Sequence, residues 1–233
     1  MAEGQTTLAA DSPNFMWPPH FGGAIFDFDG TISDTASLWE DIDRKFLAER
    51  NIPYSVEFPR TLSAMGFDQG AKYTVEHYHL NEDPKDIVNE WMRMSQNAYR
   101  TEAVLRPGVV PYLRALRSAH IPYALATTNT SDLLDSMQRI PIRELFPIRV
   151  FGADVAHTKD HPDIYLEAAH RLNVAPDRCI VFEDLAVALR AANQAGCITC
   201  AIASGDPLQH VTEVQEIADV FLSDWKAIPV PKR

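Results

Sequence analysis

Ala24-Ile-Phe-Asp-Phe-Asp-Gly-Thr-Ile-Ser-Asp34 is the stretch around which the rest of the chain is organised. Its apolar start, Ala24–Phe26, predicts a short buried strand that leads directly into two carboxylates and a Gly-Thr turn. Because alternate strand residues point to the same side, Asp27 and Asp29 are expected to lie together at the strand tip. Two carboxylates this close favour a bound cation, and carboxylate oxygens suit magnesium. A solvated acidic turn would also place two aspartates close together. The longer pattern, Asp27-Phe-Asp-Gly-Thr31 followed by Asp34, is more specific than two aspartates alone.

The composition is that of an ordinary globular protein. Of 233 residues, 46% are hydrophobic and 23% are charged, which allows one large domain or a core with a smaller module. Acidic residues outnumber basic ones by 32 to 21 and no Lys/Arg run is present, so we expect no nucleic-acid partner. Neither a membrane-span-length apolar stretch nor a secretory signal is visible, so we expect no membrane partner and a cytoplasmic protein. We expect a monomer or a weak homodimer.

Helical periodicity follows the first strand, and strands then alternate with helices. Apolar residues at Leu38, Ile42 and Phe46 predict one helix, and further helices are expected around 61–65, 69–78 and 86–100. Beyond a helix from Val109, strands are predicted at 123–126, 150–151, 179–182 and 199–202, with an edge strand at 220–222 and helices at 163–172 and 185–195.

This order predicts an α/β fold, with a Rossmann-like doubly wound parallel sheet as the core and a small all-helical cap domain inserted after the first strand. The expected division is an N-terminal arm at 1–23, a core domain at 24–34 and 107–233, and a cap domain at 35–106.

Chemically useful side chains follow successive predicted strands. Asp27 and Asp29 end the first strand, and Thr127-Thr-Asn129 ends the second. Lys159 follows the third strand in a loop, and Glu183-Asp184 ends the fourth. Ligands bind outside the carboxyl ends of the strands in such sheets, so these side chains are expected to meet at one site.

Each of these residues also has a purely structural interpretation. Thr127 alone could bond its own backbone at a strand end, and Lys159 alone would usually be a surface lysine. Glu183-Asp184 could cap the following helix, whose dipole favours acidic residues. The ordered set of carboxylates, hydroxyl, ammonium and carboxylates favours the functional interpretation.

Two of the three cysteines have CxxC spacing, at Cys197 and Cys200. Residues three apart in a strand point to opposite faces, and no second Cys or His pair with zinc-like spacing accompanies them. We therefore expect buried cysteines without a metal or redox role.

The same stretches resemble the four motifs of the haloacid dehalogenase-like (HAD) hydrolase superfamily. Asp27-Phe-Asp-Gly-Thr31 is similar to the first motif and Ala124-Leu-Ala-Thr-Thr-Asn129 to the second. Thr158-Lys-Asp-His-Pro-Asp-Ile-Tyr165 is similar to the third, although Thr158 stands where a Gly is common and Asp160-His161 replaces the usual Pro-small pair. Val181-Phe-Glu-Asp184 is similar to the fourth. The helical insertion is similar to that of C1-capped members, which include phosphoglycolate phosphatase and β-phosphoglucomutase.

The resemblance implies a Mg²⁺-dependent phosphatase that hydrolyses a small phosphorylated metabolite through an aspartyl-phosphate intermediate. It implies that Asp27 is the nucleophile and Asp29 the acid and base. It also implies that Thr127 and Lys159 hold the phosphoryl oxygens. The neighbouring residues Gly30, Thr128 and Asn129 are the implied phosphate-binding positions.

The metal would be held by the Asp27 and Asp184 side chains together with the backbone carbonyl of Asp29. Glu183 would either ligate the metal directly or orient its ligands from behind.

Two alternatives stay open: a sugar-phosphate mutase of the β-phosphoglucomutase type, and a non-catalytic protein that binds a phosphorylated metabolite. In the mutase a His occupies the position of Trp39, and an Arg lies near the position of Phe67. Their absence here favours hydrolysis. We expect Trp39 and Phe67 to form the wall around the leaving group, although both rings could simply pack the cap.

Overall fold

A parallel β-sheet forms the centre of the protein in the computed structural model, which describes residues 20–62, 65–206 and 209–228. The strands in these ranges are β1 (Gly23–Phe26), β2 (Tyr123–Thr127), β3 (Arg149–Phe151), β4 (Cys179–Glu183), β5 (Ile198–Ile202) and β6 (Val220–Leu222). Their order is β3-β2-β1-β4-β5-β6, and every neighbouring pair is parallel. The predicted doubly wound α/β fold is therefore confirmed. Residues 1–19 of the predicted N-terminal arm lie outside the described ranges.

Helices connect the strands. Between β1 and β2 lie α1 (Ala36–Glu49), α2 (Glu57–Leu62), α3 (Phe67–Tyr78), α4 (Pro84–Thr101) and α5 (Val109–Ser118). Along the rest of the described chain lie α6 (Ser131–Asp135), α7 (Ile142–Leu145), α8 (Asp163–Leu172), α9 (Ala186–Gln194) and α10 (Val211–Ile217).

The sheet is buried on both faces, which explains why β1 is a continuous apolar run and not an alternating one. On one face, Phe26 stacks on Phe182 with 4.8 Å between ring centroids, and Trp225 packs against both rings. On the other face, Ile25 belongs to the apolar cluster that contains Tyr165 of α8. With both faces covered, the open edge at the carboxyl ends of the strands is where a site can form.

Helices α1–α4 pack around an apolar cluster of their own. Phe46 of α1 stacks on Phe58 of α2, and its ring centroid lies 5.1 Å from that of Trp91 in α4. Helix α4 begins where the Asp83 side chain accepts a hydrogen bond from the backbone N–H of Lys85 at 2.9 Å. This separate cluster supports the proposed cap at 35–106, and the division of the chain into domains stays a prediction.

The helix predicted around 61–65 begins earlier than expected, because α2 spans Glu57–Leu62. Pro59 lies within its first turn, where a missing N–H costs little. Residues 63 and 64 lie outside the described ranges. Within the described chain, the short helices α6, α7 and α10 had no counterpart in the prediction.

The predicted burial of the cysteines is confirmed. Cys197 and Cys200 are both buried, in the apolar clusters on opposite faces of the sheet, and Cys179 is buried as well. In the described part of the chain, no helix combines the length and the apolar composition that a membrane crossing requires.

Candidate active site

Strands β1 and β4 bring a buried carboxylate cluster together at their carboxyl ends. Phe26 pairs with Phe182, and the backbone N–H of Asp27 donates to the Phe182 carbonyl at 3.0 Å. Asp27 therefore lies beside Glu183, and Asp184 follows directly. Each of these three side chains offers an oxygen within 4.8 Å of the others.

Gly30 makes room for this cluster. Its φ is +71°, and a Cβ atom at this position would lie 2.1 Å from the Oδ2 atom of Asp184. Only glycine combines this left-handed conformation with so close an approach. The turn predicted from the Gly-Thr pair is thus part of the construction of the site.

Lys159 supplies the positive charge beside the cluster. The residue is only 3% exposed, and its Nζ atom forms an ion pair with Asp27 and another with Glu183, the latter at 2.5 Å. The surface-lysine interpretation is therefore wrong. The hydroxyl of Tyr165 also donates to Glu183 Oε1, at 2.8 Å.

Charge and burial make the cluster a favourable place for a cation. Burial, followed by the negative charge of Glu183, raises the pKa of Asp27. Burial and the charges of Asp27 and Glu183 raise the pKa of Asp184 as well. Burial alone would lower the pKa of Lys159, but Asp27 and Glu183 outweigh this effect and raise it. One ammonium cannot neutralise three buried carboxylates, so the residues present fit a divalent metal.

Asp29 is held away from this cluster by hydrogen bonds. Its Oδ1 atom accepts from the Thr35 hydroxyl at 2.5 Å and from the Tyr99 hydroxyl, while its Oδ2 atom accepts from the amide of Asn129. The indole N–H of Trp39 in turn donates to the Tyr99 oxygen at 2.6 Å. Burial and the charge of Asp29 raise the pKa of Tyr99 well above its ordinary value, which keeps Tyr99 protonated as a donor.

Three hydroxyl residues of the site, Thr35, Tyr99 and Tyr165, were not predicted from the sequence. Tyr165 ends the third motif and lies on the buried face of α8, where a tyrosine hydroxyl generally needs a partner. Tyr99 is separated from Asp29 by 70 positions, and no local pattern links them.

Thr127 lies at the predicted strand end, but it is not among the described residues that line the cavity next to the cluster. Its hydroxyl accepts the backbone N–H of Asn129 at 3.1 Å, which is the local bond that the structural interpretation suggested. Thr128 and Asn129 do line the cavity. The phosphate-binding role of Thr127 therefore stays a prediction.

A cavity of about 180 Å³ joins the carboxylate cluster to helices α1–α4. Trp39 and Phe67 both line it, with 6.0 Å between their ring centroids, and both also pack against the apolar clusters. Both rings therefore line the cavity and also stabilise the packing of the helices around it. Asp43 and Trp91 line the same cavity and were not predicted.

The comparisons with known proteins point in one direction. The family model described as "Haloacid dehalogenase-like hydrolase" matches residues 24–202. The chain is 29% identical to "Phosphorylated carbohydrates phosphatase" of Thermotoga maritima, over 74% of this chain and 80% of that protein. It is 30% identical to "Probable pseudouridine-5'-phosphatase" of Drosophila melanogaster, over 82% of this chain and 87% of that protein.

A solved structure is also similar. The crystal structure of CbbY from Rhodobacter sphaeroides in complex with phosphate has a TM-score of 0.75 and 26% sequence identity. The match covers 88% of this chain and 95% of that chain.

Proposed function

The chain belongs to the haloacid dehalogenase-like hydrolase family, and we propose that it is a Mg²⁺-dependent phosphatase of a small phosphorylated carbohydrate or related metabolite. The observation that carries this proposal is the buried set of Asp27, Lys159, Glu183 and Asp184 next to the cavity. The names of the similar phosphatases support the reaction class and the phosphorylated substrate.

Asp27 and Asp184 would hold the metal through their side chains, and Asp29 would contribute its backbone carbonyl. When bound, Mg²⁺ would screen the nucleophile from the phosphate charge and clamp the phosphoryl oxygens. Glu183 has two roles open to it. Because its Oε1 atom already accepts from Lys159 and Tyr165, we favour the role of holding Lys159 in place.

In the first half-reaction, the carboxylate of Asp27 attacks phosphorus in line and the bond from phosphorus to the leaving oxygen breaks. Asp29 gives its proton to that leaving oxygen, and the phosphoryl group remains on Asp27 as an acyl phosphate. In the second half-reaction, Asp29 takes a proton from the water that attacks phosphorus, and Asp27 is released with inorganic phosphate.

The remaining residues position the phosphoryl group and the acid. Lys159, the Thr127 hydroxyl and backbone amides near Phe28 and Thr128 would stabilise the charge that develops on the phosphoryl oxygens. The donors to Asp29 fix its orientation, since three side chains from separate parts of the chain converge on one carboxyl group.

Hydrolysis is favoured over the mutase reaction by the cap residues that face the site. Trp39 and Phe67 give this side of the cavity two aromatic surfaces, and neither can bind a second phosphate as a cation would. A mutase would have to hold a bisphosphorylated intermediate. Product analysis distinguishes the two reactions, because only hydrolysis releases inorganic phosphate in proportion to the substrate consumed.

The proposal is tested by a turnover screen. Purified protein is assayed for phosphate release from sugar phosphates, polyol phosphates, nucleotides and phosphorylated small acids, with Mg²⁺ and with excess chelator. We expect release from at least one class in Mg²⁺, silence in chelator, and no turnover by Asp27→Asn. Asp41→Asn serves as the matched control, because Asp41 is exposed and is not among the described residues that line the cavity. Full activity in chelator, or near-normal kcat in Asp27→Asn, would contradict the proposal.

A further inference from the structure

Asp43 is a buried acid on the cap side of the cavity, and no step of the proposed reaction uses it. It lies on α1 four residues after Trp39, so the two side chains share one face of the helix. The side chain is 7% exposed and lines the cavity together with Trp39, Phe67 and Trp91. An acid in such apolar surroundings needs an explanation, because burying it costs free energy.

Asp43 has neither a hydrogen bond nor an ion pair from its side chain within the described parts of the chain. The neighbouring cation Arg44 bonds to Glu40 at 2.6 Å, and Arg50 bonds to two other glutamates. Burial, reinforced by the charge of Glu40, raises the pKa of Asp43 to about 7. A ligand that supplied hydrogen-bond donors would offset this cost.

The charges around the cavity decide which ligand would fit. Among the described residues that line it, Lys159 is the cation, and the acids are Asp27, Asp29, Asp43, Asp184 and Asp206. Lys159 and the metal serve the phosphoryl group. A second phosphate or carboxylate near Asp43 would therefore meet a like charge without a cation to compensate it.

The size of the cavity narrows the choice further. Its volume of about 180 Å³ is below the ~300–1,000 Å³ of sites for drug-sized ligands, which favours a compact leaving group. The rings of Trp39 and Phe67 offer flat apolar surfaces to carbon atoms, while the carboxylate of Asp43 offers acceptors. Compact molecules with C–H faces and several hydroxyl donors match both.

We propose that Asp43 is a specificity-determining residue that accepts hydrogen bonds from hydroxyl groups of the leaving group, so that a compact sugar or polyol monophosphate is preferred. This inference rests on the proposed phosphatase function and adds the chemical class of the leaving group. It assigns Asp43, on the helix α1 that lines the cavity, to substrate recognition.

The test compares kcat/KM for a hexitol phosphate with kcat/KM for p-nitrophenyl phosphate, whose leaving group has no hydroxyl donor in its bound form. Asp43→Leu should lower the ratio of the two values by about tenfold to a hundredfold, because hydrogen bonds to a charged group are lost and an aryl group gains apolar contact. Asp43→Asn, which keeps an acceptor, should lower it less. For a sugar bisphosphate, Asp43→Asn should raise kcat/KM, because the repelling charge is gone.

Asp41→Leu is the matched control, because it removes an exposed acid of the same helix and should leave the ratio unchanged. Circular dichroism is used to check that both Asp43 variants fold. An unchanged ratio in both variants, or a wild-type preference for an aminoalkyl phosphate such as phosphoethanolamine, would overturn this inference and leave the phosphatase function intact. A wild-type protein inactive on every phosphate ester in Mg²⁺ would overturn both.

Discussion

Replacing Lys159 by methionine tests whether the buried carboxylates need a cation. The substitution keeps the length of the side chain and removes both ion pairs, to Asp27 and to Glu183. Because Lys159 is only 3% exposed, solvent cannot replace its charge, and breaking a buried pair in this way costs about 3–5 kcal/mol. That is a large share of the ~5–15 kcal/mol that separates a typical folded domain from its unfolded chain.

The assay is urea unfolding followed by circular dichroism, in excess chelator and again in Mg²⁺. In chelator, Lys159→Met should unfold at clearly lower urea than the wild type. Bound Mg²⁺ stabilises the folded state by about 2.7 kcal/mol at a concentration of 100 Kd. In Mg²⁺ the gap should narrow, because the more negative site of the variant binds Mg²⁺ more tightly than the wild-type site and so gains more stability.

The matched control is Lys72→Met, which removes an exposed lysine of α3 and should change the free energy of unfolding by no more than ~0.5 kcal/mol. If Lys159→Met unfolds in chelator at the wild-type urea concentration, the carboxylates do not depend on its charge. If Mg²⁺ stabilises the wild type and the variant equally, the metal does not bind where Lys159 acts. Either result would refute this reasoning.

Three further predictions concern single side chains. Folding raises the pKa of Asp43 from 3.8 to about 7, so this carboxyl destabilises the folded state progressively as pH rises between these values and fully above them. About three pH units at ~1.4 kcal/mol each set a ceiling of about 4 kcal/mol on this effect. Asp43→Asn should therefore unfold like the wild type at pH 4 and gain up to that free energy of unfolding at pH 8, and equal urea midpoints at pH 8 would exclude this. Tyr99→Phe removes one hydrogen-bond partner from Asp29 and one from the Trp39 N–H, so kcat should fall about tenfold to a hundredfold with KM little changed. The control Tyr73→Phe on α3 should match the wild type. A rise in KM alone would argue against a role of Tyr99 in positioning Asp29. Gly30→Ala should weaken Mg²⁺ binding in calorimetry, because the added Cβ displaces the Asp184 carboxylate. Gly196→Ala is the control: Gly196 has φ +83° and a Cβ there would meet nothing within 4 Å, so this variant should lose only ~1–2 kcal/mol of stability from backbone strain. Equal Mg²⁺ affinity in both variants would contradict the clash at Gly30.

The fold and the buried carboxylate cluster could be predicted because their signals are local. The buried run that ends at Asp27, and the equivalent runs before Thr128 and Glu183, each combine an apolar strand with polar residues at its carboxyl end. The rule that parallel strands end at one edge then brings those residues together without any knowledge of contacts. Lys159 was found in the same way, although its burial could not be predicted, because a lysine in a loop is usually exposed.

The polar network around Asp29 could not be predicted because it depends on long-range contacts. Tyr99 lies on α4, 70 positions from Asp29. The apolar periodicity of this helix predicts only that Tyr99 lies on its buried face. The same holds for Gln209, whose amide donates to the backbone carbonyls of Asp184 and Ile202 at 2.8 and 2.7 Å. Asp43 was overlooked for a related reason, since a single acid in an amphipathic helix is normally assigned to its solvated face.

The start of α2 was predicted too late. Proline ends a helix at most positions, but Pro59 lies in the first turn of α2, where proline is tolerated. The short helices α6, α7 and α10 have too few turns for a periodic pattern to emerge.

The central claim is that Asp27 carries the phosphoryl group during turnover. The most direct measurement mixes the Mg²⁺-loaded protein with a radiolabelled phosphate ester, quenches the reaction in acid within milliseconds, and maps the labelled peptide. The predicted result is a rapid burst of labelled Asp27 within the first turnover. Hydroxylamine should release this label, and Asp27→Asn should show none. Label on another residue, or steady turnover with no labelled protein at any quench time, would contradict the account.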